Sequence, residues 1–117
     1  MTAAAHLSPP TASWRIERRG KTIEAHFDGY LDADAGTESA AELERATKEL
    51  REFRLIFDVG AMEGYDNEAR RAWSRVMRLR RQHITSIVTI GASPIIRLGA
   101  SLLGMLAGVV VEHRQNT

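Results

Sequence analysis

From Trp14 to Arg18 the chain alternates apolar and polar residues, the pattern of a strand with one buried face. Gly20-Lys21 predicts a hairpin turn. Thr22 to Asp28 alternates again, with Ile23, Ala25 and Phe27 on one side and Glu24, His26 and Asp28 on the other. Gly29 to Asp32 then leads into a helical pattern that starts near Ala35 to Thr37 and ends before Phe53. Its apolar side is Ala41, Leu43, Ala46 and Leu50; Glu42, Glu44, Arg45, Lys48 and Glu49 form the solvated side. Arg54 to Val59 is a short apolar run of β-formers and predicts a central strand. The stretch GAMEGYDN, Gly60 to Asn67, predicts a loop. A second helix follows over Asn67 to Arg81, where Ala69, Ala72, Trp73, Val76 and Leu79 or Arg80 recur at helical spacing. Ile84 to Ile90 predicts another central strand. Ser93 as cap and Pro94 at the first helical position open a third helix over Ile95 to Ala107. Gly108 ends it, and Val109 to Glu112 predicts the last strand.

The order β-β-α-β-α-β-α-β calls for an α/β fold: a mixed, mostly parallel sheet of about five strands covered by helices, with an antiparallel hairpin at one edge. The chain has 117 residues, which fits one domain over residues 14–114. Residues 1–13 read as a disordered lead-in without the features of a signal peptide, and 115–117 as a tail. The net charge is +1, unlike that of a uniformly basic nucleic-acid binder, and no recognition module is visible. There is no cysteine, which excludes thiol chemistry and fits a cytoplasmic setting. Leu98 to Val111 is continuously apolar or small but only 14 residues long, short of the roughly 20 that span a membrane. His6, His26, His83 and His113 share no ligand spacing, so no metal is expected. No phosphate-binding glycine motif is present, so no nucleotide cofactor is expected either.

Three segments carry a resemblance. DGYLDADAGTESAAEL, Asp28 to Leu43, resembles the Gly-x-Leu-Asp-Ala strand end and first helix of the STAS domain, named for sulfate transporters and anti-sigma-factor antagonists. FRLIFDVGAMEGYDNEA, Phe53 to Ala69, is similar to that family's second signature, an apolar strand ending in Asp, a short loop, then Asp-Ser-Ser-Gly opening a helix. ITSIVTIGASPIIRLGASLLG, Ile84 to Gly104, resembles its next strand and helix. The SpoIIAA-like group is equally similar, through Met62 to Tyr65 and Trp73. The resemblance implies a STAS-like fold and a non-enzymatic bacterial regulatory module whose protein partner is an anti-sigma factor, a kinase or a scaffold. It also implies a regulatory loop made of Glu63, Tyr65, Asp66, Asn67 and Glu68. Where the antagonists carry a phosphorylated serine, this chain has Asn67, which has no hydroxyl to accept phosphate.

Other features rest on the residues alone. Asp66 or Asn67 suits a helix cap. An acid/base pair of Asp66 with Glu63 or Glu68 is conceivable, but nothing in the sequence completes an active site. The second helix carries Arg70, Arg71, Arg75, Arg78, Arg80 and Arg81 with no acidic residue after Glu68. Arg71, Arg75 and Arg78 fall on one stripe, suited to an acidic partner. The third helix has two apolar stripes. Ile95, Leu98, Leu102 and Leu106 form one; Ile96, Gly99, Leu103 and Ala107 form the other. One must face the sheet. The stripe with small residues, Ile96, Gly99 and Leu103, is expected to pair two copies as a homodimer. The alternative reading is a carrier or sensor that holds a small apolar or lipid-like ligand beneath this helix.

Overall fold

The computed structural model describes residues 13–115. The expected lead-in and tail lie outside these residues, except for Ser13 and Gln115. Eight elements follow in order: β1 (Ser13–Arg19), β2 (Thr22–Leu31), α1 (Ala33–Thr47), β3 (Phe53–Tyr65), α2 (Asn67–Leu79), β4 (Ile84–Ile90), α3 (Pro94–Ala107) and β5 (Val111–Arg114). The sheet order is β1-β2-β3-β4-β5. The β1–β2 pair is antiparallel and all other pairs are parallel. The expected fold class is therefore observed.

This strand order fixes where the helices go. A crossover between parallel strands is right-handed in nearly all cases. Three successive crossovers that step in the same direction across a sheet must then place their helices on one face. The contacts agree: Trp73 of α2 packs on Phe27 and Phe57. Its indole Nε1 donates to Ser39 Oγ of α1 at 3.0 Å. Ser101 of α3 reaches His113, the lateral neighbour of Thr89 on that same face. The opposite face, carrying Glu24, His26, Arg54 and Asp58, has no helix over it among the described residues.

The core lies between the sheet and the helices. Ile23, Leu43, Phe53, Leu55, Met77 and Ile87 are among its largest fully buried side chains. At its centre the Trp73 ring meets Phe27 and Phe57 edge-on, with centroids 5.6 and 5.4 Å away. Such packing adds about 0.5–1.5 kcal/mol per pair to the burial itself.

Four boundaries differ markedly from the sequence reading. β2 runs on to Leu31 and β3 to Tyr65, so the expected loop after Val59 is largely strand. The two extensions pair with each other, Leu31 opposite Tyr65, across register shifts near Asp28 and Tyr30. Gly29, at φ 87°, supplies backbone geometry that a side chain would disfavour. α1 starts early, at Ala33, because Asp32 Oδ1 accepts from the Ala35 N–H at 2.8 Å. β5 starts late, because Val109 is used to close α3: its N–H bonds to the Gly104 carbonyl at 2.9 Å while Gly108 takes the left-handed conformation.

Candidate functional site

The segment expected to act as a regulatory loop is a strand end running into a helix. Asp66 occupies the N-cap position of α2, and its backbone carbonyl accepts from the Arg70 N–H at 3.0 Å. Its side chain makes no capping bond. Instead, the Tyr30 hydroxyl donates to Asp66 Oδ1 at 2.6 Å, and this bond to the carboxylate holds the Tyr30 phenol above its ordinary value. The expected role of Asp66 as a side-chain cap is thus replaced by a tie between β2 and α2. Glu63, Asn67 and Glu68 are exposed, whereas Tyr65 turns inward against Gly99 of α3. Glu68 Oε1 accepts from Arg71 at 2.7 Å. The carboxylates of Asp66 and Glu68 are each engaged elsewhere and do not form an acid/base pair with one another.

Arg71, Arg75 and Arg78 are exposed along α2, as the spacing predicts. Among the described residues, Glu68 is the sole carboxylate paired with this row. Arg70, half-buried beside it, makes no side-chain hydrogen bond or ion pair among those residues. Arg80 does not belong to the row. Its Nη2 donates to the carbonyls of Thr47 at 2.6 Å and Leu50 at 3.0 Å, and the guanidinium stands 6.0 Å from the Phe53 ring centroid. It ties together the turn that follows α1, where the Thr47 carbonyl also accepts from the Leu50 N–H at 2.9 Å.

The third helix reverses the expected roles of its stripes. Ile96 and Gly99 are buried toward the sheet and Leu103 is half-buried beside them, so this stripe does not offer a free surface for pairing copies. The reason is backbone approach. Gly99 leaves room for the Tyr65 ring and Gly104 for Val111, so the small residues are needed on the sheet side. The outward stripe holds Ile95 at 64%, Leu98 at 61%, Leu102 at 43% and Met105 at 74% exposure.

Beneath α3 is an apolar cavity of about 60 Å³. Phe57, Trp73, Ile96 and Leu103 are among its walls, with Tyr65 and Arg70 among its few polar-tipped lining residues.

Two polar groups escaped the sequence reading. On the open sheet face, His26 Nδ1 lies 3.1 Å from Asp58 Oδ2, and Nε2 lies 3.2 Å from Glu24 Oε1 and 3.8 Å from Glu17 Oε1. Arg15 and Arg19 pair with the same glutamates. The signal was present: a turn at Gly20-Lys21 places Glu17 opposite Glu24, with His26 two residues further on the same face. On the other face, His113 joins the Thr89 hydroxyl at 2.6 Å to the Ser101 hydroxyl at 3.1 Å. Burial, aided by the Arg97 cation, pushes this imidazole below its ordinary value and favours its neutral form.

The chain matches no family model and no curated protein. Solved structures do match it. An uncharacterized DUF3478-family protein of Shewanella loihica PV-4, described as having a SpoIIAA-like fold, superposes with a TM-score of 0.68 at 13% identity, covering 92% of this chain and 90% of its own. The fold is SpoIIAA-like. The anti-sigma-factor antagonist SpoIIAA in its unphosphorylated form is similar at a TM-score of 0.55 and 15% identity, over 74% of this chain and 79% of that one. These SpoIIAA-like neighbours establish the architecture expected from the sequence segments. Among the described residues, no helix is long and apolar enough to cross a membrane.

Proposed function

We propose that this chain is a non-enzymatic, STAS-type interaction module of bacterial regulation that docks a protein partner on the α2 side of the domain. The observation that carries the reading is the exposed arginine row, Arg71, Arg75 and Arg78, paired among the described residues with one carboxylate, Glu68. Such a row favours an acidic partner and raises its rate of encounter. Asn67 stands where the resembling antagonists carry a phosphorylated serine, so docking here is controlled by something other than phosphate at that position. An anti-sigma factor, a kinase or a scaffold is the partner class that the resemblance suggests.

The test uses the full chain as bait in lysate of its own source cells, with bound proteins identified by mass spectrometry. Arg71→Glu/Arg75→Glu/Arg78→Glu is expected to lose the acidic partner by at least about tenfold while its circular dichroism matches wild type. Capture by the unmodified chain should also weaken with added salt, since screening is already about 8 Å at physiological strength. Equal recovery with the triple reversal defeats the reading.

The cavity beneath α3 supports a second reading, a carrier or sensor of a small apolar ligand. Its size limits that reading. A cavity of about 150 Å³ is what accommodates benzene, so the 60 Å³ here has room for the end of an alkyl chain and not for a ring. Native mass spectrometry of the purified chain would then show an added mass that is released on unfolding. Only the bare chain mass argues for the interaction module alone.

A further inference from the structure

Between α2 and α3 lies a surface groove of about 460 Å³. One wall is basic and comprises Arg70, Arg71, Arg75 and Arg78. The other is apolar and includes Leu102, Met105 and Leu106. Leu102 and Met105 remain open to solvent on this wall. Keeping large apolar groups in water forgoes about 1.5–3 kcal/mol for each one that could be fully buried. The basic wall is likewise under-partnered, with Glu68 its one ion-pair partner among the described residues.

The two walls together select their occupant. It must bring apolar side chains to fill a recess and carboxylates to meet arginines on one side of it. A helix with apolar residues at i, i+3 or i+4 and i+7, and acids on the adjoining face, presents both at once. The lining runs from Arg70 to Arg78 on α2 and from Leu102 to Leu106 on α3, about 12 Å and about 6 Å of helix, so the occupant is engaged over about two turns. A flat lipid surface meets protruding groups but does not enter a recess between two helices. A second copy of this chain does not supply the occupant either. α1 turns Asp34, Glu38 and Glu44 outward, but its apolar residues Ala40 and Leu43 are already in the core.

We propose that the α2–α3 groove seats an acidic amphipathic α-helix from a protein partner. This rests on the interaction-module reading and names the chemistry of the partner. The carboxylates lie along Arg71, Arg75 and Arg78, and the apolar ridge packs on Leu102, Met105 and Leu106.

The probe is a display library of amphipathic helical peptides about 16 residues long, with each charged position free to be Glu or Lys. Selection on the immobilised full chain is expected to enrich Glu-rich peptides. The affinity of an enriched peptide should then fall about tenfold or more in Arg75→Glu/Arg78→Glu and also in Leu102→Glu/Met105→Glu. Both pairs are surface changes, and circular dichroism should confirm that each variant is folded. Loss in the arginine pair alone shows that the acidic contact does not use the apolar wall, so nothing is seated between the helices. That result overturns the groove proposal and leaves the interaction module standing. Lys-rich enrichment, or none, also overturns it. So does binding to phosphatidylglycerol vesicles that Leu102→Glu/Met105→Glu abolishes while no peptide is selected, which would assign the face to a membrane. Failure of the module itself would be seen separately, as partner capture from lysate that is indifferent to the arginines.

Discussion

Trp73→Ala is expected to cost about 3–5 kcal/mol of folding stability, a large share of the roughly 5–15 kcal/mol of an ordinary domain. Trp73 is 3% exposed and joins three elements. Its ring meets Phe27 of β2 and Phe57 of β3 edge-on, and its indole N–H reaches Ser39 of α1. Alanine removes all of these contacts and enlarges a cavity that the Trp73 ring already borders. Trp73→Phe separates the contributions. It keeps most of the apolar contact and loses the bond to Ser39, whose hydroxyl still donates to the Gly36 carbonyl. Its cost should be nearer that of one hydrogen bond, about 1 kcal/mol, plus a packing adjustment. Urea unfolding followed by far-ultraviolet circular dichroism measures both. A loss below about 1 kcal/mol for the alanine variant would contradict the central place given to this ring.

What the sequence disclosed depended on whether the deciding interaction was local. β4 could be read to the residue, because Ile84 to Ile90 is a compact β-forming run bounded by His83 and Gly91. The order of elements was equally plain, and right-handed crossovers turn that order into the observed sheet. The end of β3 was hidden because Gly60 and Gly64 interrupt its pattern. Only pairing with β2, more than 30 residues earlier, keeps Ala61 to Tyr65 extended. Arg80 looked like one more member of a basic helix. Its real partners, the Thr47 and Leu50 carbonyls, belong to the end of α1 and the turn that follows it. The third helix was apolar on two sides, so periodicity alone could not set which side met the sheet. Tyr65 and Val111 decided that by needing Gly99 and Gly104 beneath them. Arg71, Arg75 and Arg78 were legible because a solvated helix face needs no knowledge of what it packs against.

Gly36→Ala is expected to destabilise the domain, reversing the usual effect of that change in a helix. Gly36 lies within α1, where alanine is ordinarily favoured over glycine by about 1 kcal/mol. Its Cα, however, faces Ala69 on the first turn of α2, and an added Cβ would overlap both the Cα and the Cβ of that residue. The obstacle includes backbone, so no rotamer change relieves it, and the two helices must separate. Overpacking of this kind costs typically about 1–3 kcal/mol. Separation would also stretch the Trp73–Ser39 bond, one turn further along the same helix contact. The net result should be a loss of up to about 2 kcal/mol, or some 4–8 °C of melting temperature per kcal/mol for a domain near this size. Ala69→Gly introduced with Gly36→Ala removes the Cβ overlap but not the backbone one, so it should restore part of the loss. A melting temperature that rises in Gly36→Ala, as helix propensity alone predicts, would show that α1 and α2 do not approach this closely.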